Sequence, residues 1–238
     1  EPQLNGRKIF TPRGKVLGGS SSINGLVYTR GQPEDFDGWE TPGWSFGELL
    51  PYFKKSEDQA GQGLRGDALH GRGGPLAVSD QNEPHELCDA FIEAAVQAGQ
   101  PRNPDFNGAQ QEGAGYQQLT ARNGRRCSTA TGYLKPVLHR ENLTVLTDAL
   151  VLKVLFEGKK ANGIECETEQ KRITVKANRE VILCGGAINT PQILQLSGVG
   201  PAALLGAHGI PVVLDQPHVG EHLQDHFQAR IALKCTRA

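Results

Sequence analysis

Two glycine pairs carry most of the chemical information in this 238-residue sequence. The first lies in Gly14-Lys-Val-Leu-Gly18-Gly19-Ser20-Ser-Ser-Ile23-Asn24-Gly25-Leu26-Val-Tyr-Thr-Arg-Gly31. Adjacent glycines let a backbone approach a ligand closely and take positive φ. The serines behind them suit a helix cap, which would aim the first N–H groups at anionic or electron-rich atoms. A tight turn ahead of a core helix uses the same residues with no ligand. The second pair lies in Cys184-Gly185-Gly186-Ala187-Ile-Asn-Thr190-Pro191, running on to Gly200. An apolar strand ends at this pair, and a helix is expected to start with Thr190 as cap and Pro191 at its first position. The crevice at the carboxyl end of such a strand is where α/β sheets bind ligands. A strand–helix turn that needs glycine only for packing is the plain alternative.

The histidines and cysteines give less. His218, His222 and His226 are spaced four and four, which on a helix would bring three imidazoles to one face, a zinc-like donor set. Gly220 weakens that helix and no carboxylate or thiolate partner is placed with evident intent, so no metal site is assigned. His70, His85, His139 and His208 fall near turns or helix ends and are read as exposed and structural. The five cysteines (Cys88, Cys127, Cys166, Cys184, Cys235) form no C-x-x-C pair. Neither a zinc ribbon nor a disulfide framework follows, and reduced, mostly buried thiols are expected. Two G-x-G-x-x-[GA] matches fail on context. Gly61-Gln-Gly63-Leu-Arg-Gly66 has no strand before it or helix after it, and Gly198-Val-Gly200-Pro-Ala-Ala203 follows a helix.

The elements that must position these turns are mixed. Ser45 caps a helix reaching Lys55, with Glu48 completing a capping box. The glycine-rich stretch 56–75 reads as loop. Pro84 to Gly99 reads as an amphipathic helix burying Leu87, Phe91 and Ala95. A strand is expected at Tyr116 to Thr120 and a helix at Ser128 to His139, broken late by Pro136. From Asn142 the period changes to two. Strands are expected at Leu143 to Leu146, Leu150 to Phe156, Gly163 to Glu167, Arg172 to Lys176 and Glu180 to Leu183. Charged turns separate three of them, as in a β-meander. A helix at Pro201 to His208 and a strand at Val212 to Leu214 follow, and the last residues read as the start of another strand.

Apolar residues make up 37% and charged residues 21%, ordinary for a globular protein, and the net charge of -1 gives no footprint for nucleic acid. No apolar run approaches the roughly 20 residues that span a bilayer. With no initiator Met and two ends that look cut, the chain reads as an internal piece of a longer protein.

Both glycine motifs closely resemble the two signatures of the glucose–methanol–choline (GMC) oxidoreductases. Gly38-Trp39 to Phe53, His70-Gly71 with Gly73-Gly74-Pro75-Leu76, Asp105-Phe106-Asn107-Gly108 and Gly220 to His226 are similar to the choline dehydrogenase and bacterial alcohol dehydrogenase branch. The resemblance covers nearly the whole chain. It implies a mixed α/β fold: a partial FAD-binding domain with a β-meander, plus part of a substrate-binding domain. Residues 1–70 and 137–226 would belong to the first, and 71–136 with the start of a strand at 227–238 to the second. It implies that Gly18, Gly19, Ser20, Asn24, Gly25 and Leu26 lie against the flavin ring and pyrophosphate. Val151 would recognise adenine through its backbone, Gly185, Gly186 and Ala187 would close the dinucleotide site, and Asp225 would sit near the cofactor's far side. Some relatives attach FAD through a His where this chain has Ile23, so non-covalent FAD is expected. The partners implied are a small alcohol substrate and an electron acceptor.

The family's opening G-x-G-x-x-G turn and its C-terminal catalytic His-Pro segment have no counterpart here. No catalytic residue is assigned, and the piece by itself is expected to be inactive. Two other readings accompany the resemblance: a structural remnant that binds no cofactor, and a light-driven fatty-acid photodecarboxylase, in which Cys184 would stand beside the flavin.

Overall fold

The computed structural model describes residues 5–61, 68–169, 171–225, 232 and 234. They form two compact units, 1–143 and 144–238.

In the first unit, helix α1 (Pro33–Asp37) and helix α2 (Phe46–Ser56) are joined by aromatic contacts among Phe36, Trp39, Trp44, Phe46 and Phe53. The capping box is present: Ser45 accepts from the Glu48 amide and Glu48 from the Ser45 amide. Strand β1 (Glu57–Gln59) follows and pairs in parallel with β2 (Leu76–Val78), Asp58 lying opposite Ala77. The glycine-rich stretch expected as loop therefore opens with a strand, because Glu57 and Gln59 find buried partners for their polar ends. Helix α3 (Glu86–Gln97) begins after His85, whose Nδ1 accepts from the Leu87 amide. Its buried residue is Ile92; Leu87 and Phe91, expected on the core face, are exposed. A short hairpin, β3 (Ala121–Arg122) with β4 (Arg125–Arg126), closes the unit's regular structure.

The expected strand at Tyr116 to Thr120 makes only isolated bridges through Leu119. The expected helix at Ser128 to His139 is a π turn, Ala130–Leu134, followed by a 3-10 turn, Lys135–Val137. Pro136, which lacks an N–H, cuts it short. The buried apolar residues here are few and mostly small: Tyr28, Ala77, Val78, Ile92, Ala121 and Cys127.

In the second unit the β-meander is present as β5 (Leu150–Glu157), β6 (Lys160–Glu167) and β7 (Arg172–Lys176), antiparallel in that order. Helix α4 (Gly186–Leu196) packs on β5. The β5 amide of Val154 donates to the Ser197 hydroxyl (2.8 Å), which satisfies a buried strand group outside the ladder. A parallel pair, β8 (Val199–Gly200) with β9 (Leu214–Asp215), brackets α5 (Ala202–Ala207), which buries Leu205.

Leu143 to Leu146 and Glu180 to Leu183 are not strands. Among the described residues neither has a neighbouring strand to pair with, and a strand exists only in a ladder. Ile182 is 73% exposed, and Cys184, expected with the buried thiols, is exposed, as is Cys88. Cys127 and Cys166 are buried. Cys235 and His226 lie outside the described residues, as does the expected last strand apart from Ala232 and Lys234.

Candidate functional site

The first glycine pair builds a loop held from within. The serines do not cap a following α-helix: Gly19–Ser22 is a single 3-10 turn, and the hydroxyls fold back on the loop. Ser20 Oγ accepts from the Gly14 amide (3.2 Å), Ser21 Oγ donates to the Gly18 carbonyl (2.5 Å) and Ser22 Oγ to the Leu17 carbonyl (2.9 Å). Gly18 has φ +90°, and a Cβ there would meet Ala130 at 3.1 Å, so glycine lets the loop and the π turn meet. Thr129 fixes that junction, donating through its amide to Ser21 Oγ and through its hydroxyl to the Gly18 carbonyl.

Arg126 clamps the other half of the loop. Its Nη1 donates to the Ser21 carbonyl (3.0 Å) and Asn24 Oδ1 (2.6 Å), and its Nη2 to the Asn24 carbonyl (2.7 Å). Asn24 Oδ1 also accepts from the Leu26 amide, and the Leu26 carbonyl accepts from the amide and hydroxyl of Thr120. These bonds hold Leu26 at φ +69°, a conformation that bulky side chains rarely adopt. Strain of this kind persists where the surroundings over-determine it, often at ligand sites. The resulting surface is bare. A Cβ on Gly19 or Gly25 would meet nothing within 4 Å, and Val16, Ile23 and Val27 are each at least half exposed. The loop thus exposes apolar side chains and glycine gaps while Arg126 and Thr129 bond its backbone.

The second pair lies in the second unit. Helix α4 begins at Gly186, four residues before the expected Thr190, because Gly185 and Gly186 take up the turn themselves. Pro191 consequently lies inside the helix. Its N-cap residue is Gly185, which has no side chain to cap with, and Gly185, Gly186 and Ala187 are exposed. A Cβ on Gly186, at φ +79°, would also meet nothing within 4 Å. Val151 lies in β5 beside a register shift, and Asp225 is exposed. The structure therefore gathers Gly18 to Leu26 on one loop and Gly185 to Ala187 on one helix end.

Sequence reasoning missed the most buried chemistry. Arg30, Glu57, His70 and Asp105 form an ionic cluster inside the first unit. Arg30 Nη2 pairs with Glu57 Oε2, His70 Nδ1 lies 3.0 Å from Glu57 Oε1, and His70 Nε2 lies 3.0 Å from Asp105 Oδ2. His70 is not the exposed residue expected: 5% of its surface remains accessible. Burial alone would lower its pKa, but the hydrogen bonds and charges of Asp105 and Glu57 outweigh that and push it up to about 9. Burial favours the neutral Asp105 carboxyl, yet the His70 hydrogen bond and the Asn107 amide hold its pKa below the ordinary carboxylate value. Burial raises the Tyr28 hydroxyl, against the pull of Arg30. The one clue in the sequence was a His and two acids among glycines, with nothing to show that they meet.

Of the histidine triplet, His218 and His222 approach to 3.3 Å between ring nitrogens, and His222 sits at φ +58° rather than on a helix. Among the described residues no group of three His, Cys, Asp or Glu side chains is arranged to hold a metal. No helix there is long and apolar enough to cross a membrane.

The family model for GMC oxidoreductases matches residues 2–228. The chain belongs to that family. Oxygen-dependent choline dehydrogenases are similar along its whole length, at 47% identity in Brucella anthropi. The Pectobacterium carotovorum enzyme is 49% identical over 99% of the chain. The chain spans 43% of the length of each of these relatives. Among solved structures, an FAD-dependent oxidoreductase from Chaetomium thermophilum superposes with a TM-score of 0.84 at 34% identity, over 90% of this chain and 40% of that one. A pyridoxine 4-oxidase from Mesorbium loti gives 0.80 at 37%, over 86% and 41%. The family and the mixed α/β fold of a partial GMC domain agree with the resemblance read from the two motifs.

Proposed function

We propose that the protein carrying this chain oxidises the CH–OH group of a primary alcohol, choline-like or aliphatic, to an aldehyde, using non-covalently bound FAD. The observation that carries this reading is the exposed, hydrogen-bonded first signature loop. Gly19 and Gly25 leave gaps that no side chain fills, exposed Ile23 and Val27 suit a flat apolar ring, and Arg126 with Thr129 fixes the backbone behind them. The residues present fit the cofactor. Gly18, Gly19, Ser20, Asn24, Gly25 and Leu26 would hold the flavin ring and pyrophosphate. Gly185, Gly186 and Ala187 at the start of α4 would close the dinucleotide site, Val151 would hold the adenine through its backbone, and Asp225 would sit near the far side.

FAD, when bound, supplies the hydride acceptor. The chain's part is to bind and orient it and to keep the loop from moving under it. Ile23 offers no ring nitrogen for a covalent bond to the flavin. Residues 1–70 and 137–226 serve as the cofactor-binding part, 71–136 and 227–238 as the substrate-binding part. The choline dehydrogenases at 47–49% identity support choline or a close analogue as the alcohol, with a separate electron acceptor returning the flavin to its oxidised state.

Anaerobic mixing of the full-length protein with choline and with simple primary alcohols tests the reading. Bleaching of the flavin's visible band with matching aldehyde is the expected result. A flavin that dithionite reduces but no alcohol bleaches would overturn it.

A further inference from the structure

The signature loop ends on Tyr28 to Arg30, and beyond the backbone bond from the Tyr28 amide to the Gln118 carbonyl (2.8 Å) that segment is fastened by the buried ionic cluster. The Arg30 amide donates to Asn107 Oδ1 (2.8 Å), and Asn107 Nδ2 donates to the Tyr28 carbonyl (3.1 Å). The Arg30 guanidinium donates to the Tyr28 hydroxyl, the Leu69 carbonyl and Glu57. Glu57 in turn accepts from the Gly71 amide (2.7 Å) and from Gln59 Nε2, and it faces His70. Gln59 is joined to Gln118, and Gln118 to Asp80. Four chain segments far apart in sequence therefore meet through His70 and its two carboxylates.

Both ring nitrogens of His70 face carboxylate oxygens at 3.0 Å; the Gln59 amide nitrogen lies farther from Nδ1, at 3.4 Å, and its two protons have acceptors in Glu57 and Gln118. A neutral imidazole has one donor and one acceptor, so one of these contacts would set a lone pair against an anion. Only the imidazolium donates to both. It also balances the buried charges: Arg30 and His70 against Glu57 and Asp105. Loss of the proton leaves an unpaired negative charge among groups that are nearly inaccessible, which is costly.

We propose that His70 is a positioning residue for the signature loop: held as an imidazolium between Glu57 and Asp105, it locks the segment Tyr28 to Arg30 on which the loop ends, and its deprotonation frees that loop. The lock stands on the cluster's geometry, and only its effect on flavin rests on the function proposed above. Folded-state protonation is favoured relative to the unfolded chain. Its contribution is therefore complete below the ordinary histidine pKa of 6.5 and is lost as pH rises through about 9.

The test uses the full-length protein, its H70Q and D105N variants, and three readouts between about pH 6 and pH 10: His70 ring-nitrogen NMR shifts, amide exchange over residues 26–31, and retained flavin. In the wild type both ring nitrogens carry protons at neutral pH. Amide protection, corrected for intrinsic exchange, falls about tenfold or more as the ring titrates. In D105N the midpoint drops by roughly one pH unit or more. In H70Q protection is low and flat with pH. A neutral His70 ring at neutral pH in the wild type, or an exchange midpoint unmoved in D105N, would overturn the proposal. Normal exchange behaviour in a protein that binds no flavin would instead count against the functional reading alone.

Discussion

Glu57 is as deeply buried in the first unit as Leu205 is in the second. The first unit has strands of two or three residues, and its interior is crossed by Arg30, Glu57, Gln59, His70, Asn103, Asn107 and Gln118, all buried. The second has a meander of strands of eight, eight and five residues, and among its described residues the buried polar side chain, Ser197, closes one backbone gap in β5. Regular ladders satisfy their own amides and carbonyls, so an apolar core can form around them. Where the chain runs in long irregular loops, side chains must supply the missing partners, and the interior becomes polar. The irregular unit also carries the more elaborate glycine loop. The buried ions stand in for the ladders that this unit lacks.

The strongest way to break the comparison is to empty the ionic cluster. Glu57→Ala leaves Arg30 and His70 buried without their shared anion, and should cost about 3–5 kcal/mol in denaturant unfolding. Loss of amide protection should concentrate in 26–31, 69–71 and 103–107. A cost near zero would mean that the cluster does not hold the unit. In the second unit, Ser197→Ala orphans the buried Val154 amide and should cost about 1–3 kcal/mol, confined to β5 and α4 by amide exchange. A surface pair sharpens the contrast from the other side. Arg102 and Glu93 are ion-paired but more than half exposed, so Arg102→Ala should change stability by no more than about 1 kcal/mol.

The parts legible in the sequence were those governed by local rules. The Ser45/Glu48 capping box, the meander with its charged turns near Gly158 and Glu169, and the stop of α3 near Gly99 all depend on residues a few positions apart. The two glycine turns were legible as motifs, though not the reason for their rigidity. Arg126 holds Asn24 across 102 positions, and His70 meets Asp105 across 35. No periodicity links such residues. The start of α4 was placed too late because Thr190 and Pro191 follow capping preferences that the glycines pre-empted. Glu180 to Leu183 has the composition of a strand, but composition does not supply a neighbour. Leu87 and Phe91 have helical spacing, yet spacing does not say that a face is covered.

Gly25 offers the most direct test of the account. Its backbone is not at positive φ, and a Cβ there meets nothing within 4 Å, so the Cβ that Gly25→Val adds enters open space. If the bare face of the loop is where the flavin lies, the wild-type full-length protein should retain FAD through gel filtration. The variant should then lose most of it while keeping its circular dichroism and unfolding midpoint. A Gly25→Val protein that keeps as much FAD as the wild type would contradict the assignment of this loop to the cofactor.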